Sequence, residues 1–116
     1  MAKRKAEATH RAEHYTYTVR WSEEDSAFVG RVAEFPSLAA HGHTLEAALA
    51  EIKFVVSEVL KDLTTSGEEI PEPFGKRKFS GKFVVRVPES VHRKLAIRAT
   101  EEGVSLNQLV NSKLER

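Results

Sequence analysis

Lys82, Val84 and Arg86 stand two residues apart in the run Gly81-Lys82-Phe83-Val84-Val85-Arg86-Val87. On an extended chain alternate side chains share a face, so two cations flanking a valine would project together, with Ser80 in the same phase. Such a trio suits the major groove of DNA: Lys82 and Arg86 can donate to guanine O6 and N7, and Val84 can touch a thymine methyl. Farther along, Ser105-Leu106-Asn107 opens a helix, with Gln108 three residues after Ser105, a capping-box spacing. The free N–H groups and positive dipole end of that helix favour an anion such as a DNA phosphate, and the side chains of Ser105 and Asn107 can assist. The bland counterpart is that Lys82 and Arg86 only keep an edge strand soluble.

Other chemistry is poorly supplied. Metal-dependent hydrolysis needs carboxylates that converge on cations. Glu23, Glu24 and Asp25 are consecutive in a polar turn and diverge, while Glu46, Glu51 and Glu58 fall on the exposed side of a helix. His41 and His43 share a strand face, and His10 and His14 have helical i, i+4 spacing, but neither pair has a visible third ligand. There is no cysteine, so thiolate sites and disulfides are excluded, and a reducing cytoplasmic setting fits. No phosphate-cradling glycine loop or serine nucleophile motif is present. The expectation is a protein without catalytic residues, metal or cofactor.

The elements that position these residues fall into two groups. Tyr15-Thr16-Tyr17-Thr18-Val19-Arg20-Trp21 alternates as a strand with Tyr15, Tyr17, Val19 and Trp21 on its buried face. After a polar turn at residues 22–26, residues 27–35 read as a second strand ended by Pro36, and residues 38–43 as a short third. Thr44 is placed as an N-cap. Leu45, Leu49, Ile52, Val56, Val59, Leu60 and Leu63 then mark a helix of about five turns, closed by Thr64-Thr65-Ser66-Gly67. Ile70-Pro71-Glu72-Pro73 is neither helix nor central strand. The fold class is thus α+β: a three-stranded antiparallel sheet with one long helix over residues 15–73, preceded by a flexible basic arm at 1–14. A linker at 74–80 leads to a β-α-α module at 81–116, with a strand at 81–87, a helix from about Glu89 to Glu102 stopped by Gly103, and a second helix from Ser105.

Charge is segregated between the groups. Residues 15–73 hold four basic and eleven acidic side chains, a net −7, and residues 74–116 hold ten basic and four acidic, a net +6, although the whole chain is only +1. A basic module suits a polyanion and an acidic one suits a basic protein. The first residues, Met1-Ala2-Lys3-Arg4-Lys5, have the charge of a signal peptide, but no apolar run follows.

About forty residues in a β-α-α order cannot build a sufficient core alone, and one unpaired strand leaves a row of unmet backbone groups. Antiparallel pairing with the same strand of a second copy would repair both, turning Phe83, Val85 and Val87 toward the helices and Lys82, Val84 and Arg86 outward.

The run from Gly81 to His92, with Ala99 and Glu102-Gly103-Val104-Ser105-Leu106-Asn107-Gln108-Leu109-Val110, resembles the ribbon-helix-helix domain at the C-terminus of HicB-family antitoxins. Phe35-Pro36-Ser37-Leu38, Gly42-His43-Thr44-Leu45-Glu46-Ala47 and Gly67 before Ile70-Pro71-Glu72-Pro73 are similar to the HicB N-terminal domain. Pro36-Ser37-Leu38 lacks the glycine-cysteine often seen there, and His43 replaces a usually acidic residue. The resemblance implies a truncated ribonuclease-H-like first domain that binds and inhibits a HicA-like mRNA-cleaving toxin. It also implies a second domain that binds the operator of its own operon, in a homodimer or homotetramer. In that scheme Lys82, Val84 and Arg86 read bases, and Ser105, Leu106 and Asn107 clamp phosphate. The alternative is a stand-alone repressor without a toxin partner.

Overall fold

The computed structural model describes residues 10–115. These form two compact units, the first ending at Lys78 and the second beginning at Phe79. The secondary structure is mixed, with a three-stranded antiparallel sheet and three α-helices. No helix is long and apolar enough to cross a membrane among the described residues.

In the first unit, strands β1 (Tyr17–Ser22), β2 (Ala27–Val32) and β3 (Ala39–Gly42) lie in the order β1-β2-β3. Tyr17 faces Val32, Val19 faces Gly30 and Trp21 faces Phe28, while Gly30 faces Ala40 and Phe28 faces Gly42. That register gathers Tyr17, Val19, Gly30, Val32 and Ala40 on one face, as alternation of side chains requires. Helix α1 (Leu45–Ser66) packs across all three strands. Its core is Ile52, Val56 and Leu60 against Tyr15, Val32 and Ala40.

The ends of α1 obey local chemistry. Thr44 Oγ1 accepts from Ala47 N at 3.0 Å, the expected cap. Gly67 takes a left-handed φ of 74° and its N–H returns to Leu63 and Thr64 carbonyls. The helix therefore runs through Thr64-Thr65-Ser66, residues read from the sequence as its closing turn. Its buried stripe is Ala48, Ile52, Val56 and Leu60, and Leu45 is half exposed. The stripe begins at alanine because the helix presses on two glycines. A Cβ on Gly30 would lie 2.8 Å from the Ala48 carbonyl oxygen, and one on Gly42 would overlap the Ala48 amide nitrogen.

Three further expectations shift. Trp21 is 50% exposed, its ring edge-on to Phe28 at 5.1 Å and its Nε1 donating to Glu23. Ala12–His14 form a 3-10 turn, and Tyr17 Oη donates to the Ala12 carbonyl at 2.6 Å. Ala12 itself packs on the core. The expected arm at 1–14 is thus anchored from Ala12 on, and residues 1–9 lie outside the described residues.

The third concerns the expected linker, which begins fastened. Pro73 is fully buried, Tyr15 Oη donates to the Pro71 carbonyl at 2.7 Å, and Phe74 N donates to Glu34 at 2.8 Å. A second 3-10 turn covers Phe74–Lys76. Arg77 lies 4.0 Å above the Phe74 ring and donates to the Glu72 carbonyl. Residues 74–77 therefore belong to the first unit.

Candidate nucleic-acid interface

The second unit contains helices α2 (Glu89–Glu102) and α3 (Leu106–Leu114). Pro88 opens α2, where its lack of an N–H costs nothing. Gly103 closes it with a φ of 71° and an N–H returned to Ala99 and Thr100. At α3 the capping box forms in both directions: Ser105 Oγ accepts from Gln108 N, and Gln108 Oε1 accepts from Ser105 N, each at 3.0 Å.

Packing inside this unit is thin. Ala99 of α2 and Leu109 of α3 are its buried apolar residues among those described, while nine large apolar side chains from Phe79 to Leu114 are exposed. The expected strand at 81–87 makes no β-ladder in the single chain. Among the described residues, the backbone groups of Phe83–Val87 have no hydrogen-bond partner. Phe83 is 75% and Val84 88% exposed. Before it, Gly81 takes a φ of 81° and Ser80 Oγ accepts from Lys82 N at 3.1 Å, a local turn that sets where the run begins.

Lys82, Val84 and Arg86 are all solvent-exposed, and neither cation forms an ion pair among the described residues. By contrast, Arg98 is engaged by Glu102 at 3.0 Å, one turn along α2. At the start of α3, the capping box consumes the N–H of Ser105 and of Gln108. The amides of Leu106 and Asn107 have no hydrogen-bond partner among the described residues, so of the expected phosphate site they are the backbone donors not already engaged. The cations Lys76, Arg77 and Lys78, counted with the basic module in the sequence, lie in the first unit.

The catalytic candidates stay dispersed. Among the described residues no three of His, Asp and Glu come together as a metal site. Asp25 instead accepts from Ser22 Oγ and lies 3.4 Å from His41 Nε2. The most organised carboxylate was not singled out from the sequence. Glu34 is buried, and its two oxygens accept from Thr16 N, Thr16 Oγ1 and Phe74 N at 2.8–3.0 Å. Burial works against its ionisation, but the donors from Phe74 and Thr16 outweigh it and hold the carboxyl below its ordinary value. Two neighbouring tyrosines, Tyr15 and Tyr17, are pushed up to about 12, chiefly by burial and then by the Glu34 charge. This cluster is a brace, with every polar atom answered.

A model of the HicB family matches residues 65–114, from the end of α1 to the end of α3. The match supports membership of that family, whose members are generally components of toxin–antitoxin systems. No curated protein and no solved structure matches the chain.

Proposed function

We propose that the chain is an antitoxin-repressor: its second unit pairs with that of another copy and binds operator DNA, and its first unit neutralises an mRNA-cleaving, HicA-like toxin. The observation that carries this reading is the apolar surplus of the second unit. Two buried apolar residues cannot hold nine exposed ones in solution as an independent fold. Antiparallel pairing of two 82–87 segments supplies partners for the open backbone groups and covers Phe83, Val85 and Val87 in one step. The face left outward then carries Lys82, Val84 and Arg86 into the major groove, while the Leu106 and Asn107 amides grip a flanking phosphate. This is the ribbon-helix-helix arrangement. The net −7 of residues 15–73 suits a toxin that must itself be basic where it holds RNA.

The test is a gel-shift titration with DNA from upstream of the gene. Arg86→Ala should weaken sequence-specific binding by about 1–3 kcal/mol while the sedimentation coefficient stays that of the paired protein. Unchanged affinity would remove the ribbon from the groove. The toxin half is tested separately, by whether co-expression of this chain relieves growth arrest by the small basic protein encoded beside it.

The family match leaves most of the first unit uncovered, which favours a second reading: a stand-alone repressor whose first unit only oligomerises. Absence of any toxin gene next to this one would select it.

A further inference from the structure

Helix α1 covers one face of the sheet, and the other face of the first unit carries a cleft of about 420 Å³. Buried Val29 lies at its floor, and Thr18, Arg20, Ser22, Glu24 and Arg31 are among the residues that line it. A volume of that size is in the range of small-molecule sites.

The strand register sets two cations side by side in this cleft. Thr18 faces Arg31 and Arg20 faces Val29, so Arg31 stands in one cross-strand row and Arg20 in the next. Diagonal neighbours of this kind are about 7–8 Å apart at the backbone, within reach of long side chains. Residues 15–73 hold four basic side chains against eleven acidic ones. Two of the four adjoin here, and neither makes an ion pair among the described residues. An anion between them would relieve their repulsion. Two guanidinium forks can close on one phosphate from both sides, and the Thr18 hydroxyl, in the row of Arg31, adds a donor.

The cleft continues beyond such a phosphate. From Thr18 to Ser22 is about 13 Å of strand. Past Ser22 the turn presents Asp25, engaged by His41 at 3.4 Å, and Glu24, which has no ion pair among the described residues. A ligand complementary to both ends carries a phosphate at one and a hydrogen-bond donor at the other. A nucleoside monophosphate whose base bears an exocyclic amine has that form and about that length.

We propose that this cleft binds a nucleoside monophosphate, with the phosphate between Arg20 and Arg31 and the base amine donating to Glu24. The site lies wholly in the first unit and is independent of the reading of the second.

Titration calorimetry of the full-length protein with adenosine monophosphate should show one site per chain. Trp21 borders the cleft and is the only tryptophan, so its emission should change in step. Arg20 and Arg31 are solvent-exposed, and alanine at either should keep the urea midpoint while weakening binding about tenfold or more, the scale of a lost hydrogen bond to a charged group. Glu24→Ala should erase the preference for adenosine over uridine monophosphate, whose base lacks the amine. Lys61→Ala on α1 and Arg86→Ala in the second unit should change nothing. No binding at millimolar nucleotide overturns the proposal, as does binding that survives Arg20→Ala and Arg31→Ala or is lost in Arg86→Ala. Inorganic phosphate held as tightly as the nucleotide also overturns it, because the rest of the cleft would then contribute nothing. An end-phosphorylated RNA that outcompetes the nucleotide in Arg86→Ala protein would overturn the free nucleotide as the ligand.

Discussion

Replacing Glu34 by alanine removes one acceptor group that serves three donors on two distant parts of the chain, Thr16 at the start of the sheet and Phe74 beyond α1. Hydrogen bonds to a charged partner contribute about 1.5–3 kcal/mol each, and a stranded buried donor costs about 1–3 kcal/mol. The Thr16 hydroxyl can turn elsewhere, so the two backbone amides set the scale, and the loss should be about 2–4 kcal/mol. Glu34→Gln should fall between. Its carbonyl can serve Phe74 N and Thr16 Oγ1, but its NH2 then confronts Thr16 N.

The pH dependence has a definite sign. The folded carboxyl lies below its ordinary value of 4.5, so the unfolded chain binds the proton more readily. The brace contributes fully above the unfolded value and is lost as pH falls through the folded one. The gap between wild type and Glu34→Gln should therefore be constant at neutral pH and shrink below about pH 4.5. Urea unfolding followed at Trp21, the only tryptophan and a resident of the first unit, reads it directly. Exchange of the Phe74 amide should quicken in both variants. A pH-independent gap down to pH 3, or an alanine variant within about 0.5 kcal/mol of wild type, would show that the brace is ornamental.

Gly42→Ala drives a Cβ into the Ala48 amide, and should cost about 1–3 kcal/mol by overpacking, visible as a lower urea midpoint with unchanged DNA binding per folded molecule. Ser105→Ala removes the N-cap acceptor of α3 and should cost about 1 kcal/mol of stability, with a further loss of operator affinity if the hydroxyl reaches phosphate. Truncation separates the anchored tail from the true junction. A chain ending at Lys78 keeps the Glu34–Phe74 and Tyr15–Pro71 bonds and should unfold cooperatively and fail to shift operator DNA, whereas one ending at Pro73 should be measurably less stable. Equal stability of the two, or operator binding by the first, would contradict the unit boundary at Lys78.

Features governed by neighbours along the chain were legible in the residues. The Thr44 cap, the reciprocal Ser105–Gln108 pair and the glycine stops at 67 and 103 depend on residues a few positions apart, and their chemistry is written locally. The face of α1 was harder. Apolar bulk pointed to Leu45, but the helix meets the sheet over Gly30 and Gly42 with the backbone of Ala48 against both. An alanine at the head of the stripe carries little hydrophobic signal, whereas Ile52, Val56 and Leu60 behind it were legible. Trp21 obeys the alternation of β1, yet sits half exposed beside the turn. Glu34 reaches partners eighteen and forty residues away. No periodicity announces such a contact, so the anchored start of the linker stayed invisible.

The run from Lys82 to Val87 poses the converse case: its pattern is plain and its structure in one chain is absent. Period-two alternation means that slipping a strand by one residue exchanges its faces. With Phe83, Val85 and Val87 inward, the two charges point out. With the opposite phase, Lys82 and Arg86 would be buried without partners at a cost no ribbon of this length could offset. The residues assigned to reading DNA are thus the same ones that forbid the wrong phase of pairing. On the proposed pairing, an exposed Phe83 and a backbone with no hydrogen-bond partner from 83 to 87 among the described residues are two views of one condition, a half-site whose other half would be a second copy. In the proposed ribbon, specific DNA recognition and assembly would be a single event, because the face that enters the groove would exist only once the opposite face had been covered.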